Sequence, residues 1–168
     1  MGRRYYLFLI LLIAFYVPQL VQAQVSIGLD GLTCSMCSNS IYKLLQKVDG
    51  VKEVRIDLNE NIAEVFYKAE ISPNYKELSQ KIFDAGFSVR YMKANIEFME
   101  DMAKFGNSYI VNGTKYVYIG NEEKIMRGPV LISLVGKGLM AKKELKKFDG
   151  VINKINPSSS NQSYYFIF

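Results

Sequence analysis

Gly31-Leu32-Thr33-Cys34-Ser35-Met36-Cys37 contains the two cysteines of this 168-residue chain, and the segments flanking it decide the fold. Upstream, Val25, Ile27 and Leu29 alternate with polar or small residues, the period of a half-buried strand. Downstream, Ile41, Leu44, Leu45 and Val48 recur at helical spacing, which predicts a helix over 38–48 stopped by Asp49-Gly50. Further out, Val54, Ile56 and Leu58 alternate with charged residues as a second strand. Asn59-Glu60-Asn61 turns the chain into a third, with Ala63, Val65 and Tyr67 on one face. Ser72 as N-cap and Pro73 at the first helical position open a second helix. Its stripe is Leu78, Ile82 and Phe83, and Gly86 ends it. Phe87, Val89 and Tyr91 give the last strand. Strand, helix, strand, strand, helix, strand is the split βαβ order: a four-stranded sheet with both helices on one face, an α+β architecture.

The chemistry of the motif follows from what surrounds it. A disulfide between Cys34 and Cys37 would close a very short loop, which restricts the unfolded chain least, so stapling is a poor reason to keep the pair. The chain has no histidine, which removes His-dependent catalysis and His-ligated metal sites. Cys37 falls near a helix N-terminus, where the dipole and free N–H groups favour a thiolate. Two sulfurs without a third ligand suit a soft ion of low coordination number, whereas Zn(II) asks for four ligands. Cys34 and Cys37 are therefore the predicted metal ligands. Cu(I) is the first choice, with Hg(II) or another soft metal next. The competing reading is thiol–disulfide exchange by the same pair, with Cys34 as the attacking sulfur. An exported dithiol can also oxidise, which blocks metal binding until it is reduced.

Residues 24–92 resemble the heavy-metal-associated domain of copper chaperones, copper-pump N-terminal domains and the periplasmic mercury-binding protein. The resemblance rests on the Gly31–Cys37 run, on Gly50-Val51 opening the second strand, and on Ala85-Gly86-Phe87 closing the second helix. Leu32 departs from the methionine usual in the family. That position is a packing residue in the family, so a leucine of similar volume is a mild change. The resemblance implies a ferredoxin-like βαββαβ sandwich, metal bound by Cys34 and Cys37, and Phe87 near the ion. It also implies no catalytic residues and a protein partner for metal transfer. Thr33 stands where relatives handling Zn(II), Cd(II) or Pb(II) tend to carry an acidic residue.

Before this region, Gly2-Arg3-Arg4, an apolar run over 5–17, Pro18 and Val21-Gln22-Ala23 have the layout of a secretory signal peptide spanning 1–23. The run is shorter than the ~20 residues a spanning helix needs. The reading is therefore an exported, periplasmic or secreted protein without stable membrane insertion after cleavage. Residues 24–93 carry nine basic and nine acidic side chains, and 94–168 carry ten against seven. So small a surplus does not mark a nucleic-acid binder.

The sequence expects a second, β-rich part over 94–168. Residues 95–104 read as a short helix on which Met99 and Met102 share a face. Both are assigned as gap-filling core residues, with Cu(I) ligation by thioether sulfur as the other reading. Asn112-Gly113 predicts a hairpin between 108–111 and 115–119. Residues 130–135 read as a strand and 140–148 as an amphipathic helix with a solvated face of lysines. Two more strands follow, at 151–155 and 164–168, with a loop over 157–161 between them. Three strands, a helix and two strands suggest a small OB-like barrel.

Overall fold

The computed structural model describes residues 24–32, 34–68, 71–155 and 163–168. The segment 1–23 read as a signal peptide, Thr33 and the loop expected at 157–161 lie outside them. Eight strands form one sheet: β1 (Val25–Asp30), β2 (Val51–Asp57), β3 (Ile62–Tyr67), β4 (Ser88–Ala103), β5 (Ser108–Val111), β6 (Thr114–Tyr118), β7 (Lys124–Val135) and β8 (Ser163–Ile167). Their order across the sheet is β2-β3-β1-β4-β7-β8-β6-β5. The helices are α1 (Ser35–Leu45), α2 (Tyr75–Asp84), α3 (Lys142–Leu145) and α4 (Asp149–Ile155).

The first six elements have the expected βαββαβ order. β1 lies between β3 and β4, antiparallel to both, and β2 completes that half beyond β3. The alternating residues of β1 are the centre of the core: Val25 and Ile27 are fully buried and Leu29 nearly so. They meet Ile41 and Leu45 of α1 and Leu78 and Ile82 of α2 in one aliphatic cluster.

Both helix starts differ from the sequence reading. α1 begins at Ser35, not Ser38, because Cys34 is its N-cap and its Sγ accepts from the Cys37 N–H. Cysteine is not among the preferred capping residues, so the sequence pointed to the next serine. α2 begins at Tyr75, where the Asn74 side chain caps the Glu77 N–H at 3.2 Å and reaches the Glu77 carboxylate. The Asn74 amide thus serves both the helix N–H and the Glu77 carboxylate, an N-cap reinforced by a side-chain pair. It displaces Ser72, whose hydroxyl instead donates to the Asn112 carbonyl at 2.8 Å. Tyr75, Leu78 and Ile82 form the buried stripe of α2, and Phe83, one residue round the helix, is 71% exposed.

β4 departs furthest from expectation. The helix expected over 95–104 is the second half of a 16-residue strand. Ala94, Ile96 and Phe98 are buried at period two, and β7 supplies a partner from Lys93↔Ser133 to Ala103↔Lys124. β7 itself starts six residues before the predicted strand, since Gly128-Pro129 read as a breaker. Pro129 lies opposite Glu97 of β4 and outside the β8 pairing at 133–135, a stretch of β7 with a partner strand on one side only among the described residues. The hairpin is as predicted, with Asn112 and Gly113 both at positive φ, 47° and 76°.

Residues 151–155, expected as a strand, belong to α4, and the helix expected over 140–148 is confined to α3. Short apolar runs are ambiguous between helix and strand until a partner is known. Here Val151, Ile152 and Ile155 lie over Val117, Ile119 and Val135 in a second small core. No closed OB-like barrel forms among the described residues. β5 to β8 extend the same sheet as β1 to β4, and β2 and β5 remain its open ends. The boundary placed at residue 93 falls inside β4. The far half does curl, since the Tyr109 hydroxyl donates to the Met102 carbonyl of β4 at 2.6 Å.

Candidate metal centre

Gly31 takes the chain out of β1 at φ +87°, a conformation that costs other residues but not glycine. Leu32 then turns inward and is buried at 4% exposure, in the packing role read for it. Cys34 is exposed and Cys37 half-buried, packed against the aliphatic core. The Cys37 N–H points at Cys34 Sγ at 3.2 Å, and the Ser38 N–H donates to the Cys34 carbonyl at 3.2 Å. The first turn of α1 carries no acidic side chain. Negative charge developing on sulfur here meets the positive end of a helix and no competing carboxylate from that turn.

The two cysteines are joined as a disulfide, with their Cα atoms 5.3 Å apart. The sequence reading brings these two residues to one point, and the structure does the same. Among the described residues, no group of three or more His, Cys, Asp or Glu side chains is placed to hold a metal. Among the described residues the pair is thus a two-sulfur site, Cys34 exposed and Cys37 half-buried, with no third ligand of those types.

Phe87 owes its place to the end of α2. The Gly86 N–H donates to Phe83 O at 2.9 Å and the Phe87 N–H to Ile82 O at 3.1 Å, with Gly86 at φ +84°. This is a Schellman cap, and it explains the Ala85-Gly86-Phe87 signature physically. It throws the half-buried Phe87 ring against the start of the cysteine loop: a Cβ on Gly31 would lie 3.7 Å from the ring. Core packing and cover over the loop are here one and the same contact.

The sequence profile of the heavy-metal-associated domain matches residues 27–88. The copper chaperone CopZ of Staphylococcus haemolyticus is 30% identical over 64 residues, which cover 38% of this chain and 93% of that protein. The chain belongs to the heavy-metal-associated family. Within that family, Copper-transporting ATPase 1 of Rattus norvegicus is 31% identical over 78 residues, 46% of this chain and 5% of the ATPase. Across the ATPases it matches, the chain spans between 5% and 7% of their length. Among solved structures, a copper-binding domain from HMA7, a P-type ATPase, is 32% identical, covering 39% of this chain and 88% of that one, with a TM-score of 0.36.

Of the remaining sequence candidates, Met36 is 80% exposed beside the cysteines, as read. Met99 and Met102 are not core residues: they stand on a strand, 91% and 40% exposed. Lys142, Lys143, Lys146 and Lys147 are exposed while Leu145 and Phe148 pack inward, the solvated face that was expected. Sequence reasoning missed a buried cluster of tyrosines joining the two halves of the molecule. Tyr75 of α2 and Tyr116 of β6 share a hydroxyl hydrogen bond of 2.9 Å, and the Tyr164 ring meets Tyr75 edge-on at 4.8 Å. Burial pushes the Tyr75 phenol well up and the Tyr116 phenol up to about 12. Twelve tyrosines in the composition were the available signal.

Proposed function

We propose that this protein is an exported, non-enzymatic carrier or scavenger that binds Cu(I) between the thiolates of Cys34 and Cys37. The observation that carries the reading is the geometry of the pair: two sulfurs at a helix N-terminus, one exposed and one half-buried, with no further Cys or acidic ligand brought to them among the described residues. Soft, low-coordinate d10 ions fit that donor set, so Hg(II) is the next candidate. Similarity to a copper chaperone and to copper-transporting ATPases favours copper over mercury. Binding starts from the reduced pair: two electrons and two protons open the disulfide, and the thiols lose their protons as the ion enters. Delivery to a protein partner then proceeds by exchange, one incoming thiolate replacing one of these two at a time. Export rests on the N-terminal signal pattern, which puts the mature start at Gln24.

The test is an anaerobic competition between reduced protein and a Cu(I) chelator of known affinity. One equivalent should be withdrawn from the chelator at the cysteine pair, and Cys34→Ser should lose that equivalent. Fractionation with intact-mass measurement checks export: the mature species should begin at Gln24, and a full-length product confined to the cytoplasm contradicts it.

Thiol–disulfide exchange is the second reading, favoured by the disulfide and by the exposure of Cys34 relative to Cys37. Catalytic reduction of a disulfide substrate by the wild-type chain, without Cu(I) competition, would replace the first reading with this one.

A further inference from the structure

We propose that Met99 and Met102 form a second soft-metal site, a surface thioether pair for Cu(I), separate from Cys34 and Cys37 and usable while those are oxidised. On a regular strand, residues three apart point to opposite faces. Here β4 carries one extra residue. Phe98 pairs with Gly128 and Asp101 with Met126, so three steps along β4 match two along β7. The bulge restores Met99 and Met102 to the same face. On β7 the partner of Met102, Ile125, is 63% exposed, which agrees with an outward-facing Met102.

The usual role of methionine is to fill gaps in a core. Neither residue does so, and at 91% exposure Met99 places its entire thioether in solvent. Same-face neighbours on a strand are about 7 Å apart. Two unbranched side chains with three rotatable bonds each can bring their sulfurs to one ion across that span. A thioether is neutral and soft, which selects Cu(I) over hard divalent ions. It also cannot be lost to disulfide formation, unlike the cysteine pair. Glu100, between the two methionines, pairs with Arg127 at 3.7 Å and engages neither sulfur.

The site is tested in the full chain carrying Cys34→Ser and Cys37→Ser, so the outcome does not depend on the cysteine reading. Ag(I), which mimics Cu(I) without its redox chemistry, is titrated while the methionine methyl resonances are followed. Met99 and Met102 should shift together and saturate at one equivalent, with the exposed Met36 unmoved. Adding Met99→Leu, a volume-conserving surface change, should abolish the Met102 shift. It should weaken Ag(I) binding beyond the roughly 10–100-fold that a lost outer-shell partner costs. The proposal is overturned if neither methyl shifts, if they shift no more than Met36, or if Met102 responds unchanged when Met99 is leucine.

Discussion

The two halves of the sheet are built from different material. The first, up to the middle of β4, closes an aliphatic core of Val, Ile and Leu between β1 and two helices. The second closes around rings: Phe98, Tyr109, Tyr118 and Phe166 lie with centroids 5.3–6.3 Å apart where neighbours touch. The open ends differ as well. β2 carries Lys52, Glu53, Arg55 and Asp57, charges that discourage strand addition, while β5 reads Ser-Tyr-Ile-Val and has only its shortness to protect it. The thiol loop belongs to the aliphatic half. The cysteine loop therefore stands on a small βαββαβ frame, and the aromatic half continues the same core, tied to that frame by β4 and by the Tyr75–Tyr116–Tyr164 cluster.

The sharpest break in that comparison is Phe166→Ala. Phe166 is fully buried among four other rings, and its loss should cost about 3–5 kcal/mol in chemical denaturation. Because Phe166 lies in the aromatic half and the cysteine loop in the aliphatic half of the shared core, Cu(I) affinity of the reduced loop should stay unchanged in the surviving folded fraction. A coupled loss of affinity would show that the aromatic half shapes the site.

Alkaline pH probes the seam next. The Tyr116 phenol is held neutral by burial, its pKa raised from the ordinary 10 to about 12. A group with a raised folded pKa contributes stability that is complete below the unfolded value and lost as pH rises through the folded one. Stability should therefore decline between about pH 10 and 12, by roughly 3 kcal/mol for Tyr116 alone. Tyr75, shifted the same way and bonded to it, adds to the decline. Denaturation midpoints alongside tyrosinate absorbance should show these phenols ionising only as the structure opens. Early, independent ionisation would contradict a sealed seam.

The smallest effect belongs to the loop. Gly31→Ala meets no clash, since its Cβ would sit 3.7 Å from Phe87, so the cost is that of φ +87° alone, about 1–2 kcal/mol. Gly86→Ala, at φ +84° in open space, should cost the same amount. A much larger loss for Gly31 than for Gly86 would reveal a constraint in the cysteine loop beyond backbone strain.

The aliphatic half was legible in the sequence because its signals are local: period-two strands, helical stripes, Gly86 as a stop and a short cysteine motif. Its helix starts slipped, since a cysteine cap and an asparagine cap displaced the serines that looked like caps, and Phe83, read into the stripe of α2, is exposed while Tyr75 takes the buried place. The aromatic half was largely illegible because its strands are defined by distant partners. Residues 95–104 read as helix until β7 is beside them, and Gly128-Pro129 hides the strand that provides the pairing. Residues 151–155 fit either periodicity. The cysteines as a proximal pair were legible. The same-face placement of Met99 and Met102 was not, because it depends on a bulge that exists only in the paired sheet.

The most direct test of the account is the anaerobic Cu(I) competition on fully reduced protein, read for wild type, Cys34→Ser and a chain truncated after residue 94. The account predicts one equivalent bound by wild type at the cysteine pair. It predicts that this binding is lost in Cys34→Ser and retained by the truncated chain wherever that chain folds by circular dichroism. Wild-type protein that leaves the chelator fully loaded, or Cys34→Ser that competes as well as wild type, would contradict it.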